Sequence, residues 1–119
     1  MRQPGELHTR TKQLALRVIK VVVALPEGSV GWVIGKQLLR SGTSVGANYR
    51  EGCRARSPAE FVSIVQIALK ECAETAYWLE LLVESETVLE ARLTPLLTEV
   101  GEITAMLVAT VTTAKRRPS

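Results

Sequence analysis

Six polar side chains could act together: Gln37, Arg40, Ser44, Asn48, Glu51 and, further on, Glu74. Catalysis by such a set needs a nucleophile beside a base, or two carboxylates facing across a cleft. His8 is the only histidine, and there is no Asp. The structural alternative is a buried polar network that fixes helix register and orients a neighbouring subunit. The missing base favours that alternative, so the chain is expected not to be an enzyme. Cys53 and Cys72 are the only cysteines; they form no CxxC pair, and no ligand spacing surrounds them. Two reduced thiols are expected, with no metal and no cofactor.

A second chemistry is open to the basic residues Arg10, Arg17, Lys20, Lys36, Arg50, Arg54 and Arg56, with the tail Lys115-Arg116-Arg117. Such cations neutralise phosphates without reading bases. Aromatic residues that would stack single-stranded bases are not interleaved with them. The competing reading is a solvated face partly paired with glutamates. Residues 1–56 hold ten Lys/Arg against three Glu, while residues 57–114 hold two against nine. Opposed halves suit head-to-tail packing of subunits into a ring, or pairing between neighbouring helices of one chain.

Helices must position these groups. The chain of 119 residues is 46% apolar but only 4% aromatic, which predicts one domain with an aliphatic core. The stretch 41–52 (SGTSVGANYREG) is poor in helix formers. Yet Leu38, Gly42, Val45 and Tyr49 recur at helical spacing, and Ser41, Ser44, Asn48 and Glu51 make a small polar face beside them. Gly42 and Gly46, one turn apart, would let another helix approach closely. Four helices are predicted, over about 6–25, 31–53, 58–84 and 95–114, with a mobile basic tail at 115–119. Ser57-Pro58-Ala59-Glu60 is a cap-plus-proline start, and Thr94-Pro95 offers another. The expected fold is all-α, an antiparallel up-down-up-down four-helix bundle in one domain, 1–119. The best membrane-span candidate, Leu14–Leu25, is short and broken by Arg17 and Lys20. With no signal-like N-terminus, a cytoplasmic protein without membrane partners is expected.

The run Gln37 to Gly52, followed by Glu60-Phe61, Ile67-Ala68 and Glu74, resembles the 23S rRNA intervening-sequence protein family, also called four helix bundle proteins. Gln37, Arg40, Ser44, Asn48, Glu51, Gly52, Glu60, Phe61 and Glu74 stand at positions matching that family's pattern. Val45 replaces the usual Ile, Tyr49-Arg50 the usual Ile-Ala, and Lys70-Glu71 a frequent Gly-Ser. The resemblance implies a bundle protomer that assembles into a ring-like homopentamer. A related family member is the accessory variability determinant of diversity-generating retroelements, a basic pentamer that binds nucleic acid and partners a reverse transcriptase. The expected function is therefore a non-enzymatic, oligomeric accessory protein that binds RNA or DNA through basic surface. The alternative is a protein–protein assembly module with no nucleic-acid role. Trp32 is either an interface anchor or core filling.

Overall fold

The computed structural model describes residues 4–117. Helices α1 (Pro4–Val23), α2 (Ser29–Gly52), α3 (Pro58–Glu84) and α4 (Glu90–Lys115) follow one another with short turns between them. Each helix packs on its two neighbours around the bundle, and diagonal pairs stay apart. The architecture is an all-α four-helix bundle measuring 50 × 23 × 20 Å.

The glycine-bearing stretch is helical because its neighbours need it to be. Leu38, Val45 and Tyr49 are buried, and Gly42 and Gly46 carry the crossing of α1 over α2. A Cβ on Gly42 would lie 2.7 Å from Val18 Cγ2, and one on Gly46 would lie 3.1 Å from Thr11 Oγ1. The two helices therefore meet backbone to side chain, and burial compensates for weak helix propensity. The remaining core is aliphatic: Leu7, Leu14 and Val18 of α1, Val65, Leu79 and Leu82 of α3, and Leu96, Val100, Ile103 and Leu107 of α4.

The α3 start follows from its sequence. Ser57 is extended, and its Oγ accepts the Glu60 N–H at 3.1 Å, with Pro58 in the first helical position. The Glu60 carboxylate reaches back to accept the Arg56 N–H at 3.4 Å. Ser57→Ala is expected to lower unfolding free energy by about 1 kcal/mol, measured by the urea midpoint.

The α4 start differs from the sequence expectation. The helix begins at Glu90, not at Thr94-Pro95, and Pro95 lies inside it. Proline has no N–H, so the Ala91 carbonyl loses its ladder bond in the second turn of the helix. The turn before it is a left-handed helix stop. Glu86 has φ 61°, the Glu86 N–H donates to the Val83 carbonyl, and the Thr87 N–H donates to the Leu82 carbonyl, both at 3.0 Å. Glycine usually occupies that position. Glu86→Gly is expected to raise stability by about 0.5–1 kcal/mol, because the side chain's left-handed penalty disappears. An unchanged or lower denaturation midpoint would contradict it.

Other boundaries shift by a few residues. α1 starts at Pro4 and ends at Val23, so Ala24 and Leu25 belong to the turn, and α2 starts at Ser29. Lys115 is helical and Arg116 caps α4. The expected mobile tail therefore reduces to residues beyond the helix, of which Pro118 and Ser119 lie outside the described residues, as do Met1–Gln3. Among the described residues α4, rather than Leu14–Leu25, is the helix long and apolar enough to cross a membrane, by length and composition alone. Its apolar side, including Leu93, Leu96, Val100, Ile103 and Leu107, fills the bundle interior.

Candidate nucleic-acid interface

The topology brings the N-terminus of α1, the C-terminus of α2, the N-terminus of α3 and the C-terminus of α4 to one end of the bundle. Arg50, Arg54, Arg56, Lys115, Arg116 and Arg117 gather there, and all are exposed. Among the described residues none of them makes an ion pair. Arg50 and Lys115 sit in the last turns of α2 and α4, where a cation offsets the helix's carbonyl end. Arg54, Arg56 and Arg117 lie beyond the helices, so that local reason does not account for them. Glu6, Glu51 and Glu60 are exposed at the same end and temper its field. The opposite end carries Glu27, Glu84, Glu86 and Glu90, with Arg92 among them.

The rest of the expected basic set lies elsewhere. Arg10 is a correction: its guanidinium is taken up by carboxylates of α4 at the partly exposed α1–α4 seam. Its Nη2 donates to Glu99 Oε1 at 2.5 Å and to Glu102 Oε1 at 2.7 Å, and its Nε donates to Glu99 Oε2 at 3.1 Å. The Glu99 carboxylate first, and then Glu102, hold Arg10 more firmly charged than usual. Arg17 and Lys20 are exposed further along α1. Lys36 is exposed on α2, with its Nζ 4.4 Å from the centre of the Trp32 ring.

The expected polar network divides into separate pieces. Arg40 joins α2 to α3: its Nε donates to Gln37 at 3.2 Å, its Nη1 to Glu71 at 3.0 Å, and its Nη2 to Glu74. That cluster is not buried, since the Arg40 side chain is 47% exposed. Glu74, followed by Glu71, raises the Arg40 pKa. Ser44 and Asn48 bond back to their own helix instead, Ser44 Oγ to the Arg40 carbonyl at 2.6 Å and Asn48 Nδ2 to the Ser44 carbonyl at 2.9 Å. Glu51 is exposed and joins neither piece. The buried polar contact between helices is one the spacing did not reveal. Ser41 and Thr75 are fully enclosed and share a hydroxyl–hydroxyl hydrogen bond of 3.0 Å. The carbonyls of Leu38 and Glu71 accept from the same pair. These pieces hold register, and none sets a nucleophile against a base.

A cavity of about 820 Å³ opens at the basic end, between the α2–α3 turn and the last turns of α4. Tyr49, Gly52 and Phe61 form part of its wall, with Cys53 and Ala109 beside them and Arg56 and Arg117 also lining it. Tyr49 is buried and meets the His8 ring edge-on, with 5.2 Å between centroids. Burial, and then the neighbouring Cys53 thiol, hold the Tyr49 hydroxyl well above its usual pKa. Cys53 is exposed and Cys72 is buried. Burial pushes the Cys72 thiol up to about 11, despite a hydrogen bond with Thr104 that lowers it. Among the described residues no cluster of three or more His, Cys, Asp or Glu could hold a metal ion. Sequence spacing named Arg56 and the tail separately but could not show that they border one cavity.

Comparison with known proteins agrees with this fold. A solved structure from Bacteroides thetaiotaomicron, a protein with unknown function from the S23 ribosomal protein family, is 35% identical. The match covers 88% of this chain and 97% of that one, with a TM-score of 0.81. No curated protein matches. The family model for the 23S rRNA-intervening sequence protein matches residues 6–109, and the chain belongs to that family.

Proposed function

We propose that the protein is a non-enzymatic, self-assembling accessory protein that binds RNA or DNA through phosphate contacts at its basic end. The observation that carries this reading is the gathering of exposed cations from α2, the α2–α3 turn and α4 at one end, without carboxylate partners among the described residues. Elsewhere Arg10 and Arg40 pair across helices, and the other described cations, Lys12, Arg17, Lys20, Lys36, Lys70 and Arg92, are exposed and scattered along the bundle; the basic end differs in gathering six cations. Being exposed, these cations avoid a desolvation cost, and their mutual repulsion is offset when phosphates bind the surface they form. A net charge of +3 per chain is a weak field, so repetition of that surface by subunit symmetry matters.

Exposed apolar residues on the α1–α2 hairpin support assembly. Leu16, Ile19 and Val23 are spaced along α1, and Val30, Trp32 and Val33 stand on α2. Trp32 is 65% exposed, so it does not fill the core of its own chain. Beside it a groove of about 550 Å³ is lined by Val22, Leu25, Pro26, Gly35 and Leu39. An exposed patch of this kind marks an interaction surface. On this reading it is the contact between copies, with the homopentamer as the assembly.

Native mass spectrometry tests the assembly, and fluorescence anisotropy with a structured RNA and a duplex DNA tests the binding. The reading expects a multimer that binds both. Ile19→Glu with Val23→Glu should release folded monomers, since both side chains already face solvent. A monomeric wild type would overturn the assembly. A well-formed oligomer that binds neither nucleic acid would leave the hairpin patch to support the other reading, an assembly module alone.

A further inference from the structure

The cavity at the basic end has features that phosphate contacts alone do not require. Its volume, about 820 Å³, lies within the roughly 300–1,000 Å³ range of small-molecule sites. Its wall is mixed: Phe61 and Ala109 are apolar, Thr110 and Thr113 carry hydroxyls, and Arg56 and Arg117 are cationic. A ligand matching that lining needs an anionic group, polar ring or sugar atoms, and an apolar face. A fatty acid offers the first and last but leaves the hydroxyls unmatched. A bare phosphate leaves the apolar wall wet.

We propose that this cavity takes a single nucleotide, as a free nucleoside monophosphate or as the terminal nucleotide of a strand. Its phosphate lies toward Arg56 and Arg117, and its base lies against the Phe61 wall. The inference rests on the nucleic-acid reading of the surface around it and adds a preference for ends. Guanidinium groups suit a terminal phosphate because they can donate two parallel hydrogen bonds to it. Phe61 supplies a ring against which any base can pack, so no sequence preference follows.

The chain carries its own reporter. Cys53 is exposed and lines the cavity, whereas Cys72 is buried away from it. The experiment follows alkylation of Cys53 by iodoacetamide, with mass-spectrometric counting of labelled thiols, in the full chain. Adenosine or uridine monophosphate at millimolar concentration should slow labelling at least fivefold. Adenosine, inorganic phosphate and laurate at the same concentration should slow it little. Arg56→Gln with Arg117→Gln should abolish the advantage of the monophosphate over the nucleoside. Ala109→Trp, at an exposed position, should fill the cavity and slow labelling without any ligand, while salt-sensitive RNA binding persists.

A linear 5′-phosphorylated RNA and its circular form separate the two sources. Protection by the linear form only assigns the site to strand ends, and protection by the monophosphate alone assigns it to free nucleotide. The inference is overturned if neither monophosphate nor linear RNA protects Cys53, or if phosphate or laurate protects it as well as the monophosphate does. In either case undiminished binding of circular RNA at low salt leaves the surface reading standing. Absence of all RNA binding marks failure of that reading, and the labelling rates still decide the cavity.

Discussion

Replacing Arg54, Arg56 and Arg117 by glutamate should lower RNA affinity at least a hundredfold while leaving the bundle folded. The three residues are exposed and make no ion pair among the described residues, so their replacement removes no internal salt bridge. Each cation withdrawn from a phosphate lowers the counterion release that drives binding, and each new carboxylate repels the backbone. Neutral replacement by glutamine should be milder and should reduce the salt slope by about 2–3. Reversing Arg17 and Lys20, on α1 away from that end, should change affinity far less. Equal reductions from both sets would place the binding surface elsewhere. Circular dichroism and native mass distinguish impaired binding from impaired structure.

Gly42→Val should cost about 3 kcal/mol of stability, the largest effect expected from a single small intrusion. A Cβ at Gly42 would meet Val18 Cγ2 at 2.7 Å and Cγ1 at 2.8 Å, below any real contact distance. Val18 is fully buried and β-branched, so it has little rotamer freedom with which to retreat. The clash can be relieved only by moving α1 off α2, which also opens the contact between Gly46 and Thr11. Gly101→Val is the control, because a Cβ there meets nothing within 4 Å. Its effect should stay near the helix-propensity difference, under about 1 kcal/mol. Similar urea midpoints for the two variants would contradict the close-packed crossing.

The two-glycine crossing is legible in the sequence, because Leu38, Gly42, Val45 and Tyr49 keep helical spacing through residues that rarely form helices. Ser57-Pro58-Glu60 is legible for a local reason: the cap and the proline act within one turn. The same local signal misleads at Thr94-Pro95. There the helix is already under way from Glu90, and the stop before it uses Glu86 in a left-handed conformation instead of glycine. That basic residues of the first half pair with glutamates of the second is legible in the charge asymmetry, but which residues pair is not. Arg10 meets Glu99 and Glu102 across almost the whole length of the chain, and only the packing of α1 on α4 makes them neighbours. Ser41 and Thr75 are ordinary residues in sequence, and burial alone gives their hydrogen bond weight. The basic end needs the topology too, since Arg54 and Arg56 come to the same end as Arg117 only when α4 returns beside the α2–α3 turn.

Phosphate recognition by the basic end is tested by a salt titration of wild-type binding, using two RNAs and two DNA duplexes of unrelated sequence at confirmed oligomer mass. Affinities should differ little between sequences and fall along a steep straight line as the logarithm of salt concentration rises. Binding that ignores salt, or that follows one sequence and ignores the others, would contradict phosphate recognition by the basic end.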